Sequence, residues 1–401
     1  MRYKLRKAIE SVIEKILLLS GGVTSIVVLL IVLFLFKEGF GLFNSPDISE
    51  GYSIVLNKEN TVKDLNPTQL KDIFDYEYTS WNELGGSDEP VIVFHLSEIE
   101  DYCTIEEMGE ELENIPQCIN KIVSENPGII AYVPTDFLPE NVDGYLLPEK
   151  DITFKSFFDG KEWYPTASPA PQFGVMPLVT GTLWVSLWAI IFSLPFGLAV
   201  AIYLAELSNN KIRKTLKPII ELLSGIPSVV YGFFGLVVVV PLIQDVFDLP
   251  VGETGMAGSI ILAIMALPTI ITVAEDAIRT TPRSVKEASL ALGASHWQTI
   301  YRVIIPYSAS GITAAAVLGI GRAIGETMAV LMVTGNAAVI PTTLLEPMRT
   351  IPATIAAELG EAPAGGAHYK ALFMLGAILF LITLVISITV EIISSKKQRV
   401  S

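Results

Sequence analysis

Histidine and cysteine are scarce in this sequence, with three histidines and two cysteines among 401 residues. The cysteines, Cys103 and Cys118, do not have the spacing of zinc ligands, so we expect no metal centre. The chain also lacks a Gly-x-x-x-x-Gly-Lys-Ser/Thr loop, which P-loop proteins use to hold nucleotide phosphates. These absences predict that the chain holds no metal centre and does not itself hydrolyse ATP.

Charged residues are also few, at 17% of the chain, whereas hydrophobic residues make up 51%. This balance is too apolar for an ordinary soluble enzyme and predicts a membrane protein. A helix needs about 20 apolar residues to cross the hydrocarbon core of a bilayer. Six runs approach or exceed that length, at 16–36, 177–205, 218–243, 257–274, 307–334 and 371–393.

Basic residues cluster at alternate ends of these runs, which indicates the orientation of the chain. Lysine and arginine are enriched in cytoplasmic loops. The clusters therefore predict a multi-pass plasma-membrane protein with both termini and the loop 276–306 in the cytoplasm. Segment 44–172 is then extracytoplasmic. We predict three parts, namely 1–43 with the first span, the insert 44–172, and a core 173–401 with the other five spans.

The insert differs in composition from the rest of the chain. Residues 44–172 contain 26 acidic and 7 basic residues, a net charge of −19, which makes nucleic acid an implausible partner. Short apolar runs at 53–57, 91–94 and 128–133 predict buried strands, and 70–74 and 105–119 predict helices. The predicted fold class is thus an all-α polytopic membrane protein of six transmembrane helices, with an extracytoplasmic α/β insert between helices 1 and 2.

The two cysteines both fall in this insert. Outside the membrane they can form a disulfide, which would stabilise the insert by about 3 kcal/mol in the chain-entropy model. Two unpaired buried thiols are the alternative.

A polar interlude at 281–306 separates the fourth and fifth apolar runs. Thr281 is predicted to cap a helix that has Pro282 at its first position and ends at Gly293. A second helix is predicted to begin near Ser295 and to end at Pro306. The series Glu287-Ala288-Ser289, then Gly293, then Val303-Ile304-Ile305-Pro306 resembles the coupling loop of ABC importer permeases. That resemblance implies that Glu287, Ala288, Ser289, Gly293 and Pro306 dock on an ATPase, whereas an ordinary amphipathic connector is the alternative.

Two ionisable residues lie in the fifth apolar run, in Gly321-Arg322-Ala323-Ile324-Gly325-Glu326. Charges at membrane depth usually face a bundle interior or a watery pathway. Arg322 and Glu326 are four residues apart, so a continuous helix would place them on one face as an ion pair. We predict that they line a pathway in which the guanidinium binds an oxyanion. A purely structural ion pair is the alternative.

Small residues at positions 311, 315, 319 and 323 form a ridge beside these charges, which predicts the close approach of another helix. In the third run, Gly225-Ile226-Pro227-Ser228 predicts a break in the helix. A broken helix directs free amides towards an anion, and Ser228 is the pathway residue predicted there. A packing kink is the other interpretation.

These motifs, with Gly181-Thr182-Leu183 and Leu194-Pro195-Phe196-Gly197, resemble the phosphate-importer permeases of the PstC type. The resemblance covers about 177–393 and the first span. It implies that the chain is a transport subunit rather than an enzyme and has no cofactor of its own. It also implies a PstA-like second permease, a dimer of a PstB-like ATPase that binds ATP, an extracellular PstS-like phosphate-binding protein, and membrane lipid. Alternatives are a permease for another oxyanion such as sulfate or molybdate, a secondary carrier or channel, and a membrane-anchored sensor.

The insert resembles one lobe of phosphate-type periplasmic binding proteins, at 56–60, 65–74, 81–86 and 126–133. That family places a basic residue and a small-residue turn after the strand equivalent to 91–94. Here His95-Leu96-Ser97-Glu98 follows the strand. Acidic residues repel a phosphate dianion. The insert is therefore predicted to have lost ligand binding and to keep a structural or docking role.

Overall fold

We describe a computed structural model of the chain, over residues 2–109 and 112–398, with side chains at 13–109 and 112–392. Arg399 lies outside this range. The side chains of most basic residues that flank the first and last spans also lie outside it, namely those of Arg2, Lys4, Arg6, Lys7, Lys396 and Lys397. The helices are α1 Arg2–Phe40, α2 Pro67–Phe74, α3 Ile105–Met108, α4 Ile115–Glu125, α5 Phe154–Asp159, α6 Met176–Ile202, α7 Asn210–Ser224, α8 Ser228–Phe234, α9 Val240–Phe247, α10 Gly255–Arg279, α11 Arg283–Ala291, α12 His296–Thr299, α13 Ile305–Tyr307, α14 Ala309–Ile324, α15 Met328–Val333, α16 Ile351–Glu358 and α17 Ala367–Gln398.

The chain divides into two compact units, one of which contains residues 41–175 and 366–368. Its strands are β1 Tyr52–Asn57, β2 Ile92–His95, β3 Ile129–Pro134, β4 Gly144–Leu146, β5 Trp163–Tyr164 and β6 Gln172–Phe173. The first four form a sheet in the order β2-β3-β1-β4, in which β2 and β3 are parallel and the other pairs are antiparallel. Strands β5 and β6 form a separate antiparallel pair.

Alternation of side chains along β1 gives this sheet two apolar faces. Ile54 and Leu56 pack with α2 residues such as Leu70 on one face, while Val55 packs with Ile119 of α4 on the other. Asn66 caps α2 with its side chain and Pro67 occupies the first turn, so α2 begins where the sequence places a start signal. The strands expected at 53–57, 91–94 and 128–133 are β1, β2 and β3.

The stretch 105–119 is helical at its two ends, but it is not one continuous helix. Helix α3 ends at Met108 and α4 begins at Ile115. Gly109 follows α3 with φ at +84°, a backbone conformation that favours glycine and does not continue the helix. The three short strands β4, β5 and β6 were not predicted, because runs of two or three residues have no readable periodicity.

The second unit contains residues 1–40, 176–365 and 369–401. Within the described residues, five helices are long and apolar enough to cross a membrane, or six if a pair bent by 70° at residue 308 counts as one. Three π-helical segments, Tyr203–Leu207, Gly235–Val239 and Ile300–Ile304, continue or interrupt these helices. The core of the unit lies where α10 packs against α6, α8 and α15, with Val185, Ile261 and Val330 among its buried residues.

Two of the predicted spans differ from the structure. The run 218–243 is not one helix, because α7 ends at Ser224 and the membrane-length helix begins at Ser228. The run mixes the amphipathic end of α7 with an apolar span. The predicted fifth span, 307–334, is also broken, since α14 ends at Ile324 and α15 begins at Met328.

Candidate functional site

Residues 281–306 are called the coupling segment here, after the loop that they resemble. The first half of the segment forms a short helix, α11, with a left-handed end. Gly293 has φ at +84°, which confirms the predicted stop at this residue. Thr281 is not the cap, because Pro282 precedes the helix and no side chain caps it. The Thr281 hydroxyl is buried and lies 3.1 Å from the hydroxyl of Ser308, so it joins the two ends of the segment instead.

The predicted docking residues of α11 are accessible. Glu287 and Ala288 are exposed, and Ser289 is half-buried with its hydroxyl 3.0 Å from that of Thr299. Two apolar residues of the same segment are also exposed, Leu292 at 90% and Trp297 at 60%. Large exposed apolar residues beside charges are typical of protein interfaces.

The second half of the segment begins as predicted and ends slightly later. Ser295 and Gln298 form a capping box at the start of α12. Pro306 lies inside α13 rather than beyond it, and the chain bends by 70° after Tyr307. A π-helical turn precedes Pro306.

An ion pair attaches α11 to the end of the second span. Lys286 Nζ lies 2.5 Å from Oε1 of Glu206, whose side chain is only 6% exposed. A cavity of about 190 Å³ is lined by these two residues, by Glu287 and by His296. The ion pair therefore holds α11 against the end of the second span, and Glu287 stays accessible.

Arg322 and Glu326 do not form the predicted ion pair. The helix ends at Ile324, so Glu326 lies in the break between α14 and α15 and not on the same helix face. Its carboxylate accepts a hydrogen bond from the amide of Ala329 at 3.4 Å. Among the described residues, the Arg322 Nε is one of seven buried side-chain polar atoms without a hydrogen-bond partner. An unpaired buried donor is costly, so this guanidinium is available to a ligand.

Helix packing brings Ser228 close to the break between α14 and α15. It begins α8 after the break at Gly225-Ile226-Pro227, and it is half-buried. Helix α8 packs against α15, and a methyl group on Gly232 would lie 3.0 Å from the Cα of Ala329. The predicted break before α8 and the unpredicted break between α14 and α15 thus lie on neighbouring elements. A cavity of about 540 Å³ opens beside the second break and is lined by Gly325, Thr327 and residues of α16.

The family is decided by comparison with known proteins. The family model described as "Binding-protein-dependent transport system inner membrane component" matches residues 193–399, more than half of the chain. The chain belongs to this family. A probable ABC transporter permease protein, YqgH of Bacillus subtilis, is 38% identical over 60% of this chain and 78% of its own length. The phosphate transport system permease protein PstC of Mesorhizobium japonicum is 38% identical over 58% and 75%.

Among solved structures, the MetNI methionine ABC transporter in inward-facing conformations has a chain similar to 55% of this one, at 20% identity and a TM-score of 0.43. The family match and the two relatives, rather than this structural similarity, show that the chain is a transport subunit of the plasma membrane. The roles of Glu287, Ala288, Ser289, Gly293, Pro306, Arg322, Glu326 and Ser228 stay predictions.

The small-residue ridge of this permease packs as predicted. A methyl group on Gly311 would overlap the Cβ of Ala277, and one on Gly319 would lie 2.9 Å from Ile270. Ala315 and Ala323 are buried in the same row. The approaching helix is therefore α10, which leads directly into the coupling segment.

In the insert, Cys103 and Cys118 are both buried free thiols in mutual contact, which is one of the two predicted alternatives. Burial, with a hydrogen bond to Cys118, raises the pKa of Cys103 to about 12. Such a thiol is almost entirely protonated at neutral pH and is a poor nucleophile.

The sequence analysis missed a buried charge cluster at the end of α10. Glu275 is fully buried, with Arg213 Nε 2.6 Å from one carboxylate oxygen and Lys217 Nζ 3.1 Å from the other. A signal was present in the sequence. An acidic residue at the end of an apolar run, such as Glu275, needs a cation, and Arg213 and Lys217 of α7 lie four residues apart on one face of that helix.

Proposed function

We propose that this permease conducts inorganic phosphate as part of an ATP-driven importer. The observation that carries the proposal is the buried, unpartnered Nε of Arg322 beside a helix break. A guanidinium offers a planar fork of donors that fits a tetrahedral oxyanion. The printed names of relatives such as the Mesorhizobium japonicum permease add support for phosphate over other oxyanions.

Glu326 and Ser228 have distinct roles in this proposal. Ser228 adds a neutral hydroxyl donor or acceptor from the neighbouring break. The Glu326 carboxylate accepts a hydrogen bond from the hydroxyl group that hydrogen phosphate carries and sulfate lacks, and its negative charge keeps the anion from binding too tightly. Since the helix break separates it from Arg322, its carboxylate does not neutralise the guanidinium before the anion arrives.

The energy comes from a partner chain. This sequence has no nucleotide-binding loop, so ATP is bound and hydrolysed by a separate PstB-like ATPase dimer. The ATPase docks on α11 through Glu287, Ala288, Ser289 and Gly293, with Pro306 at the end of the segment. A PstA-like permease completes the pathway in the membrane, and a PstS-like protein delivers phosphate. No cofactor is expected in this chain.

The proposed orientation follows from the basic loops of the sequence. Both termini and 276–306 are cytoplasmic, and the insert is extracytoplasmic, where it has a structural or docking role. ATPase closure then displaces the coupling segment, the spans rock, and phosphate taken up outside is released inside.

The test is uptake of radiolabelled phosphate by the complete transporter in vesicles that contain ATP. Arg322→Gln is expected to lower uptake about tenfold or more, since hydrogen bonds to charged groups contribute about 1.5–3 kcal/mol. Arg322→Lys keeps the charge but loses the fork, and is expected to be intermediate. Wild-type uptake in both Arg322→Gln and Glu326→Gln variants that assemble normally would refute the pathway.

The same assay separates the alternative functions. Competition by sulfate or molybdate that exceeds that by unlabelled phosphate would indicate another oxyanion. Uptake that survives ATP depletion would indicate a secondary carrier or channel. Complete loss of uptake after deletion of the insert, with normal assembly, would indicate that the insert is more than structural.

A further inference from the structure

The buried Glu275 cluster joins the coupling segment to the helix break that precedes Ser228. We infer that Glu275 is a positioning residue for energy coupling, which fixes α7 to the end of α10 so that displacement of α11 reaches the break at 225–227. This inference rests on the proposed function, because it specifies how force from the ATPase reaches the pathway.

The first step concerns the charge itself. Glu275 has no exposed surface, and a buried carboxylate is tolerated only with close cations. Arg213 and Lys217 supply them, both about three-quarters buried, and Arg279 lies 3.8 Å away on the next turn of α10. Lys217 also contacts the exposed Asp276 at 2.8 Å.

The second step concerns α7, which supplies two of these cations. None of its residues is buried, so no apolar core side chain attaches this helix to the rest of the unit. The specific contacts that the structure describes between α7 and α10 are these ion pairs. Breaking a buried ion pair on one side is strongly destabilising, so the attachment is firm while all members are present.

The third step concerns the far end of α7. The Tyr231 hydroxyl, from α8, donates to the carbonyl oxygen of Leu223 at 2.9 Å. This bond spans the break and ties the last turn of α7 to the helix that begins with Ser228. Helix α7 is therefore held at both ends, by Glu275 near its start and by Tyr231 near its finish.

The fourth step concerns the cytoplasmic side. Helix α10 ends at Arg279, one turn beyond Glu275, and α11 begins at Arg283. The Thr281–Ser308 hydroxyl contact and the Lys286–Glu206 ion pair hold this corner together. Displacement of α11 thus moves the end of α10, and through Glu275 it moves α7.

The experiment measures phosphate transported per ATP hydrolysed by the complete transporter. We expect Glu275→Gln to lower this ratio at least about fivefold, which is the lower limit of a typical coupling energy, and we expect the same of the double variant Arg213→Gln/Lys217→Gln. ATP hydrolysis is expected to continue in both. Combining all three substitutions is expected to add no further loss, because the residues act as one unit. Lys214→Gln is the matched control, since Lys214 is an exposed cation between the two on α7.

A distance measurement separates positioning from general damage to the fold. Spin labels at exposed Leu222 of α7 and exposed Ser284 of α11 are expected to give one narrow distance in wild type and Lys214→Gln, with and without ATP. The Arg213→Gln/Lys217→Gln variant is expected to give a broad distribution. The exchange Arg213→Lys/Lys217→Arg keeps both charges and is expected to restore the narrow distance.

A wild-type transport ratio together with a narrow distance in the Arg213→Gln/Lys217→Gln variant would overturn the inference. Glu275→Gln leaves no buried charge uncompensated, because Arg213 and Lys217 keep about a quarter of their side chains exposed, so a wild-type ratio in that variant overturns the inference if the double variant fails to assemble. If the wild-type transporter moves no phosphate, the proposed function fails, and the distance measurement still decides the role of Glu275.

Discussion

The amide of Ile351 donates to the hydroxyl of Thr182 at 2.9 Å, which joins the start of α16 to the second span across 169 residues of sequence. The Thr182 hydroxyl in turn donates to the carbonyl oxygen of Leu178 at 2.6 Å. Both Thr182 and Ile351 are buried. The neighbouring Gly181 makes this approach feasible, since a methyl group there would overlap the carbonyl oxygen of Arg349.

We expect Thr182→Val to destabilise the permease by about 1–3 kcal/mol, because it leaves a buried amide without an acceptor. The measurement is the thermal unfolding midpoint of the purified protein in detergent. Thr180→Val is the control, since the Thr180 hydroxyl donates only to carbonyl oxygens of its own helix. Equal midpoints for the two variants would show that the Ile351 contact does not contribute.

Gly311→Ala is expected to destabilise the protein by about 1–3 kcal/mol, because the added methyl overlaps Ala277 of α10. Gly321→Ala, on the same helix, has no atom within 4 Å of the added methyl. It is expected to stabilise α14 by about 0.5–1 kcal/mol, as alanine loses less conformational entropy in a helix. Thermal unfolding of the two variants should therefore shift in opposite directions, and a shift in the same direction would contradict the packing.

Cys103 and Cys118 are expected to resist alkylation by iodoacetamide at pH 8 in the folded protein. Burial raises the pKa of Cys103 to about 12, so its thiolate is rare at that pH. Both cysteines should be labelled after denaturation without reductant, and mass spectrometry counts the labels. A denatured protein that takes up label only after reduction would instead contain a disulfide.

Asp47→Asn is expected to stabilise the insert at pH 7. Burial raises the pKa of Asp47 above its usual value of 3.8, so the folded insert prefers the protonated carboxyl. The stabilising contribution of Asp47 is then complete below pH 3.8 and is lost as the pH rises through the folded-state pKa. An asparagine side chain stays neutral and keeps an oxygen that can accept from the amide of Lys150.

Hydrogen exchange of the β1 amides in the intact protein measures this effect. Relative to wild type at the same pH, protection in Asp47→Asn should increase at pH 7 and change little near pH 4. Asp136→Asn, at an exposed carboxylate, is the control and should leave protection unchanged at both values. A gain at pH 4 as large as that at pH 7 would exclude ionisation of Asp47 as the cause.

Local signals in the sequence were sufficient for the strands β1 to β3, for most spans and for the left-handed stop at Gly293. Each depends on the period of apolar residues or on the conformational preference of one residue. The same signals located the break near Pro227 and the ridge at Gly311 and Gly319. The partner of that ridge, α10, required the structure.

Local signals failed where apolar composition continued across a change of direction. The run 218–243 was predicted as one span with a break in it, because the apolar residues of amphipathic α7 adjoin those of α8. The pairing of Arg322 with Glu326 assumed an unbroken helix, but α14 ends at Ile324. The Glu275 cluster depends on residues about 60 positions earlier in the chain, so the local sequence indicates that Glu275 needs a cation but not which residue supplies it.

The widened turn Tyr203–Leu207 contains Glu206, the partner of Lys286. A π-helical turn holds one residue more than a regular turn, and successive residues of an α-helix differ by about 100° in direction. The extra residue therefore rotates the side chains that follow it about the helix axis, just before the second span ends at Leu207. Loss of a single residue from this turn would leave the span intact and rotate the Glu206 carboxylate away from the coupling helix, so the ion pair depends on one inserted residue as much as on its two charges.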